Sequence, residues 1–279
     1  MVKTSLEKAK KRNILDFKPG NSRSRVVFYN RIGKCGSRSI IYMTKRLSKL
    51  DNYTFSLSRN FEDEHPSEDQ MLKEMKTISE LKPPVFYNRH IHFLDFKKYG
   101  YEEPIYINII RDPVERFSSQ YNYVKYGDGE GQVKNPESGW PDINECIMKE
   151  VGICQTDFMF YIGMYFCGFD KVCESRTPGR VELAKKHIDE NYAVIGLLEE
   201  FEKTLKLFQR MLPEYFLGAL SDYKKFSKTK KRMASNRKDV LTNESIDKLR
   251  NHLMKDEYEV YFHAKQRYEE LKRKYGISD

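Results

Sequence analysis

The chain has 279 residues, of which 39% are hydrophobic and 33% charged, and its 50 Lys and Arg against 41 Asp and Glu give a formal net charge of +9. That apolar content supports a buried core and excludes a disordered tail-like protein, and no apolar run approaches membrane-spanning length. The positive balance points to a polyanionic partner, such as nucleic acid, an anionic membrane or an acidic polysaccharide, without choosing among them.

Residues 1–24 are charged and aperiodic and read as a tail or linker, with one domain over 25–279. The opening, Met1 to Arg12, lacks a signal-peptide core, so the chain reads as soluble, and any membrane attachment would come through an N-terminal anchor outside it. The run Val26-Val27-Phe28-Tyr29-Asn30 predicts a strand, Arg31 to Gly36 a Gly-bracketed turn, and Ser37 onward a helix. At such a junction unpaired N–H groups and the positive end of a helix dipole converge, which suits an anion, and Lys34, Ser37 and Ser39 add a cation and hydroxyl donors. The lysine precedes Gly36, whereas a nucleoside-triphosphatase loop places it after its second glycine. The order Lys-x-Gly-Ser-x-Ser resembles a 5′-phosphosulfate loop instead. A Gly-containing strand-to-helix turn also recurs by chance, so the loop does not decide alone.

Tyr53 to Leu57 predicts a short strand, Ser67 with Gln70 a capping box for a helix to about Glu80, and Val85-Phe86-Tyr87 a buried strand after Lys82-Pro83-Pro84. Beyond it comes Asn88-Arg89-His90-Ile91-His92-Phe93-Leu94-Asp95-Phe96. Pro104 to Ile110 is the most strand-like stretch. At its end Asp112 caps a helix, Pro113 takes the first helical position and Glu115 closes the box. Strands alternating with capped helices predict an α/β fold, a mostly parallel sheet with helices on both faces.

Gly127 to Pro141 is a Gly-rich loop, and Asp142 with Glu145 restarts a helix. A further helix starts near Val181, Tyr192 to Leu198 predicts a last strand, and Glu199 to Leu212 a helix. Ser221 to Val240 reads as a basic loop, for which a solvated linker is the bland alternative. A single closing helix spans about Thr242 to Lys274, with Tyr258, Tyr261, Phe262 and Tyr268 packing inward. Of five cysteines, four form two short-spaced pairs. Zinc ligation is possible, but the spacing is not that of a zinc knuckle, and the reading favours disulfides Cys146–Cys154 and Cys167–Cys173 with Cys35 free, hence an oxidising compartment. Asn52 and Asn243 head glycosylation sequons that agree with that setting.

In a parallel sheet the strand C-termini share one edge, where ligands bind. His90 is therefore the candidate general base, against the ordinary reading of a histidine as structural, and His92 alternates with it. Arg111, with Ser119 two helical turns on, is placed to hold a second phosphate, unless it pairs with Asp112 or Glu115 as scaffold.

The segments 29–39, 89–96, 107–117, 142–146 and 165–168, taken together and in order, resemble the glycosaminoglycan 2-O-sulfotransferases over about residues 25 to 275. The uronyl branch resembles this chain more than the heparan sulfate branch. The resemblance implies a P-loop-like sulfotransferase fold and transfer of a sulfuryl group from 3′-phosphoadenosine 5′-phosphosulfate, without metal, to the 2-hydroxyl of uronic acids in dermatan or chondroitin sulfate, leaving adenosine 3′,5′-bisphosphate. It further implies donor contacts from Lys34, Cys35, Gly36, Ser37, Arg38, Ser39, Arg111 and Ser119 and, through a loose match in the basic loop, Ser235 and Lys238. His90 falls on the catalytic-base position, and Lys34 assists the departing phosphate. The heparan branch has a second histidine two residues before the base; this chain has Asn88 there and His92 after it. The cysteine pairs match family disulfides, and the resemblance implies a Golgi-lumenal, type II membrane setting and a homotrimer. Arg31, Arg89, His92 and Lys125 are expected to line the acceptor groove. Heparan sulfate as acceptor is the alternative within the family. Outside it stand a nucleotide kinase, which would need the missing lysine and carboxylates for magnesium, and a non-catalytic polyanion-binding module, for which His90 would have no use. Nucleic acid is not the expected partner.

Overall fold

The computed structural model describes residues 25–58, 66–127, 139–174, 177–229 and 239–278; the readings placed on residues 1–24, Ser235 and Lys238 lie outside them. Five strands, β1 (Val26–Asn30), β2 (Thr54–Leu57), β3 (Val85–Arg89), β4 (Ile105–Ile110) and β5 (Tyr192–Leu197), form one sheet in the order β2-β3-β1-β4-β5. Every pairing is parallel. Parallel strands covered on both faces need unbroken apolar runs rather than alternation. Accordingly β1, β3, β4 and β5 are buried at every residue, while the edge strand β2 is not.

Helix α1 (Ser37–Leu47) leaves β1 through the glycine turn, and α2 (Glu68–Ser79) opens on the Ser67/Gln70 capping box read from the sequence. Helix α3 (Pro113–Tyr126) has Pro113 in its first turn and Asp112 accepting from the Glu115 N–H. Glu115 does not close that box: its carboxylate pairs with Arg111, and the Asp112 N–H donates to Glu199.

Short helices α4 (Ile143–Lys149), α5 (Tyr161–Cys167) and α6 (Lys171–Glu174) carry the disulfides. Cys146 bonds to Cys154 and Cys167 to Cys173, with Cα atoms 5.7 Å apart in each, so these cysteines are not zinc ligands. Helices α7 (Pro178–Asn191), α8 (Phe201–Met211), α9 (Pro213–Phe216), α10 (Ala219–Thr229), α11 (Asn243–Lys248) and α12 (Lys255–Lys274) complete the layers. Helices α5, α7 and α12 pack on one another, with α7 and α12 against β5, while α1, α8, α9 and α10 form a second group. Among the described residues no helix is long and apolar enough to cross a membrane.

Three boundaries differ from expectation. Strand β3 runs on through Asn88 and Arg89, which therefore do not lie beyond it. The stretch from Ser221 begins as helix α10, because Leu220 and Tyr223 pack on the core. The closing helix is broken: a π-helical turn at Leu249–Leu253 separates α11 from α12, and Phe262 is 56% exposed rather than packed.

Candidate active site

The turn after β1 is built for a close approach. Lys34 and Gly36 have φ of 65° and 82°, the left-handed region in which a side chain is strained. A Cβ on Gly36 would lie 2.6 Å from Leu198 Cδ1. Gly36 is the N-cap of α1, no side chain caps that helix, and its first turn holds no acidic residue. The positive helix end thus faces the turn with no carboxylate of its own first turn opposing it. Cys35 is free but buried, and burial pushes its thiol up to about 12, so it offers the cradle its backbone and not a thiolate. Ser37 is buried, Ser39 half-buried and Arg38 exposed. Lys34 Nζ lies 4.0 Å from the ring centroid of Tyr123, which is one helical turn beyond Ser119 on α3. This contact brings the cradle lysine to the helix that carries Ser119.

Arg111 follows β4 directly. Its guanidinium meets the Glu115 carboxylate at 2.9 Å, the scaffold pairing weighed above, but Glu115 is largely exposed and Arg111 a quarter exposed. Such i,i+4 surface pairs contribute only about 0.3–0.5 kcal/mol, so Glu115 holds the guanidinium weakly. The parallel pairing of β4 with β1 brings the residue after β4 to the sheet edge where the turn begins, and the positive charges of Arg116 and then Arg111 act on the Cys35 thiol against those of Glu199 and Glu257.

His90 is the first residue past β3. The register pairs Asn30 with Arg89, and the Arg31 N–H donates to the Arg89 carbonyl at 2.9 Å, so His90 emerges beside the start of the anion turn. Burial, and then the positive charge of Arg31, lower its basicity to about 4. Its Nδ1 is enclosed and has no hydrogen-bond partner. The ring is therefore neutral at neutral pH.

Three expected acceptor contacts are placed elsewhere. Arg89 is 1% exposed and pairs with Glu74 at 2.8 Å, because its position in β3 points it into the layer beneath α2. His92 is buried between the rings of Tyr165 and Phe169, at 5.1 and 5.4 Å, and belongs to the α5 packing. Lys125, 16% exposed, bonds Asp239 at 2.8 Å and the Pro141 carbonyl at 3.0 Å, tying the end of α3 to the chain near α4. Arg31 alone of the four stays with the turn. Asn52 and Asn243 are both exposed.

Tyr123 was not foreseen, although an aromatic four residues after a candidate phosphate serine on one helix is a legible signal. Glu199, which fixes the Asp112 backbone beside Arg111, carries no such signal, since only the β4–β5 pairing brings it there.

The parallel sheet, with the Lys34–Gly36 turn, His90 and Arg111 each following a strand at its C-terminal end, is an open α/β architecture of the class that binds ligands at that edge. The model of the sulfotransferase family matches residues 21–263, and the chain belongs to that family. It is 37% identical over 261 residues to the uronyl 2-sulfotransferases of Homo sapiens and Mus musculus, covering 90% of this chain and 64% of theirs. With heparan sulfate 2-O-sulfotransferase 1 of Mus musculus it shares 30% identity over 254 residues, 88% of this chain and 70% of the relative.

Proposed function

We propose that this chain transfers a sulfuryl group from 3′-phosphoadenosine 5′-phosphosulfate to the 2-hydroxyl of uronic acid residues in a glycosaminoglycan, with dermatan or chondroitin sulfate as acceptor. The observation that carries the reading is the placement of neutral His90 beside Arg31 at the edge that also holds Lys34 and Arg111. The cradle fits such a donor on this chain's own features: the uncapped start of α1, the left-handed turn at Gly36 closed over by Leu198, and a second cation at the end of β4.

The residues that would hold the donor are Lys34 through Ser39 at the phosphosulfate and Arg111 with Ser119 at the 3′-phosphate. When bound, the donor supplies an activated sulfuryl group on a phosphate leaving group. His90 would take the proton of the attacking hydroxyl. Lys34, which lies over the Tyr123 ring, would offset negative charge on the phosphate leaving group, aided by the N–H groups of the turn. Arg31, positive beside His90, opposes protonation of the base and favours an anionic acceptor at the same point. The two disulfides support an oxidising lumenal compartment, the Golgi setting that goes with such an acceptor. The similarity to uronyl 2-sulfotransferases favours dermatan or chondroitin sulfate over heparan sulfate.

Titration calorimetry with adenosine 3′,5′-bisphosphate in EDTA tests the donor half. Binding without metal is expected, while a metal requirement or no binding overturns it. His90→Ala should lower turnover by about 10²–10⁴-fold with nucleotide affinity retained.

A further inference from the structure

Asparagine is depleted in strands, and a buried amide costs free energy unless it is hydrogen-bonded. Yet three adjacent strands each carry one near the C-terminal end: Asn88 in β3, Asn30 in β1 and Asn108 in β4, all wholly buried. Two of them form a chain of contacts that ends at the segment bearing His90. Asn108 Nδ2 donates to the carbonyl of Asn30 at 2.7 Å and to its Oδ1 at 3.0 Å, while Asn108 Oδ1 accepts from the Ile109 N–H at 2.8 Å. Asn30 Nδ2 then donates to the carbonyl of Ile91 at 3.4 Å.

Ile91 lies immediately after His90, where β3 has ended and ladder bonds no longer fix the backbone. The segment is otherwise tied by Arg31 N–H to the Arg89 carbonyl, by Phe93 N–H to the Tyr165 carbonyl at 2.8 Å and by Tyr106 to the Leu94 carbonyl at 2.9 Å. The Asn30 amide reaches the carbonyl of the residue that follows His90. A valine or isoleucine at 30 and 108 would suit a parallel core strand better and would leave that carbonyl untied.

We propose that Asn30, oriented by Asn108, is a positioning residue that sets the backbone from which His90 projects against the anion turn. The proposal rests on the reading of His90 as the base. It predicts that the amides act on turnover through His90 and not through the donor cradle.

Asn30→Asp keeps the size of the side chain and the acceptor for Asn108, and withdraws the donor from Ile91. Turnover of labelled donor onto dermatan sulfate should fall roughly tenfold to 10²-fold, as small misplacements of a catalytic group do. The affinity for adenosine 3′,5′-bisphosphate by calorimetry should stay within about twofold. In a His90→Ala background the same substitution should cost nothing further, the non-additivity of residues acting as a unit. Asn108→Asp, which withdraws the donor from Asn30, gives an independent cycle and decides the matter should Asn30→Asp not fold. Equal losses in the two backgrounds, unchanged turnover, or a parallel loss of nucleotide affinity overturns the proposal. Full activity in His90→Ala alone would instead remove the reading of the base.

Discussion

Replacing Arg31 by methionine tests the electrostatics around His90. Burial first, and then the Arg31 guanidinium, take the imidazole from its ordinary 6.5 to about 4, a bias of about 3 kcal/mol toward the neutral ring. Because burial is the larger cause, loss of the charge should restore only the smaller part of the lost basicity. The acid limb of kcat/KM should lie well below pH 6.5 in the parent protein, which keeps about nine-tenths of its plateau at pH 5, and move up in Arg31→Met, so that the variant keeps a smaller share there. Initial rates with labelled donor between pH 4.5 and 8 measure both limbs, each normalised to its own plateau. A parent limb at 6.5, or a variant limb unmoved or shifted down, refutes the assignment. Linkage has the same sign: a histidine held neutral in the folded state contributes stability that is full above pH 6.5 and is lost as pH falls toward 4, so His90→Gln should flatten that part of the stability profile.

Glu74→Ala leaves the Arg89 guanidinium buried without its carboxylate and should destabilise the fold by about 3–5 kcal/mol, read as a large drop in Tm. Gly36→Ala combines a left-handed residue with a contact on Leu198, and the strain of about 1–2 kcal/mol should weaken adenosine 3′,5′-bisphosphate roughly tenfold by calorimetry. Lys125→Gln breaks the bond to Asp239 and should lower Tm while leaving the salt dependence of polysaccharide binding unchanged; a shallower salt slope would return Lys125 to the acceptor groove.

Much of this architecture was readable before any coordinates, because its signals are local. Four β-branched and aromatic runs, the Ser67/Gln70 box and Asp112-Pro113 each mark an element within a few residues, and the glycine turn marks the cradle. What escaped depends on partners distant in sequence. Arg89 looks like a surface cation until Glu74 is brought over it by α2, and Glu115 looks like a capping glutamate until Arg111 takes its carboxylate. His92 and His90 are indistinguishable as residues; the ring positions of Tyr165 and Phe169 separate them. The end of β3 is hidden in the sequence because Asn88 and Arg89 are polar, although Ser56 in β2 and Glu74 on α2 offset their burial. The break before α12 has no glycine or proline to announce it, and the lysines of α10 hid the spacing of Leu220 and Tyr223.

The most direct test of the account is product analysis. After incubation with sulfur-labelled donor and separate dermatan, chondroitin and heparan sulfate polymers, enzymatic digestion should release labelled disaccharides sulfated at the uronic acid 2-position, most abundantly from dermatan or chondroitin sulfate, with the yield lowered about 10²–10⁴-fold in the His90→Ala variant. Label on the hexosamine instead, or none on any polymer while nucleotide binding is intact, would contradict it.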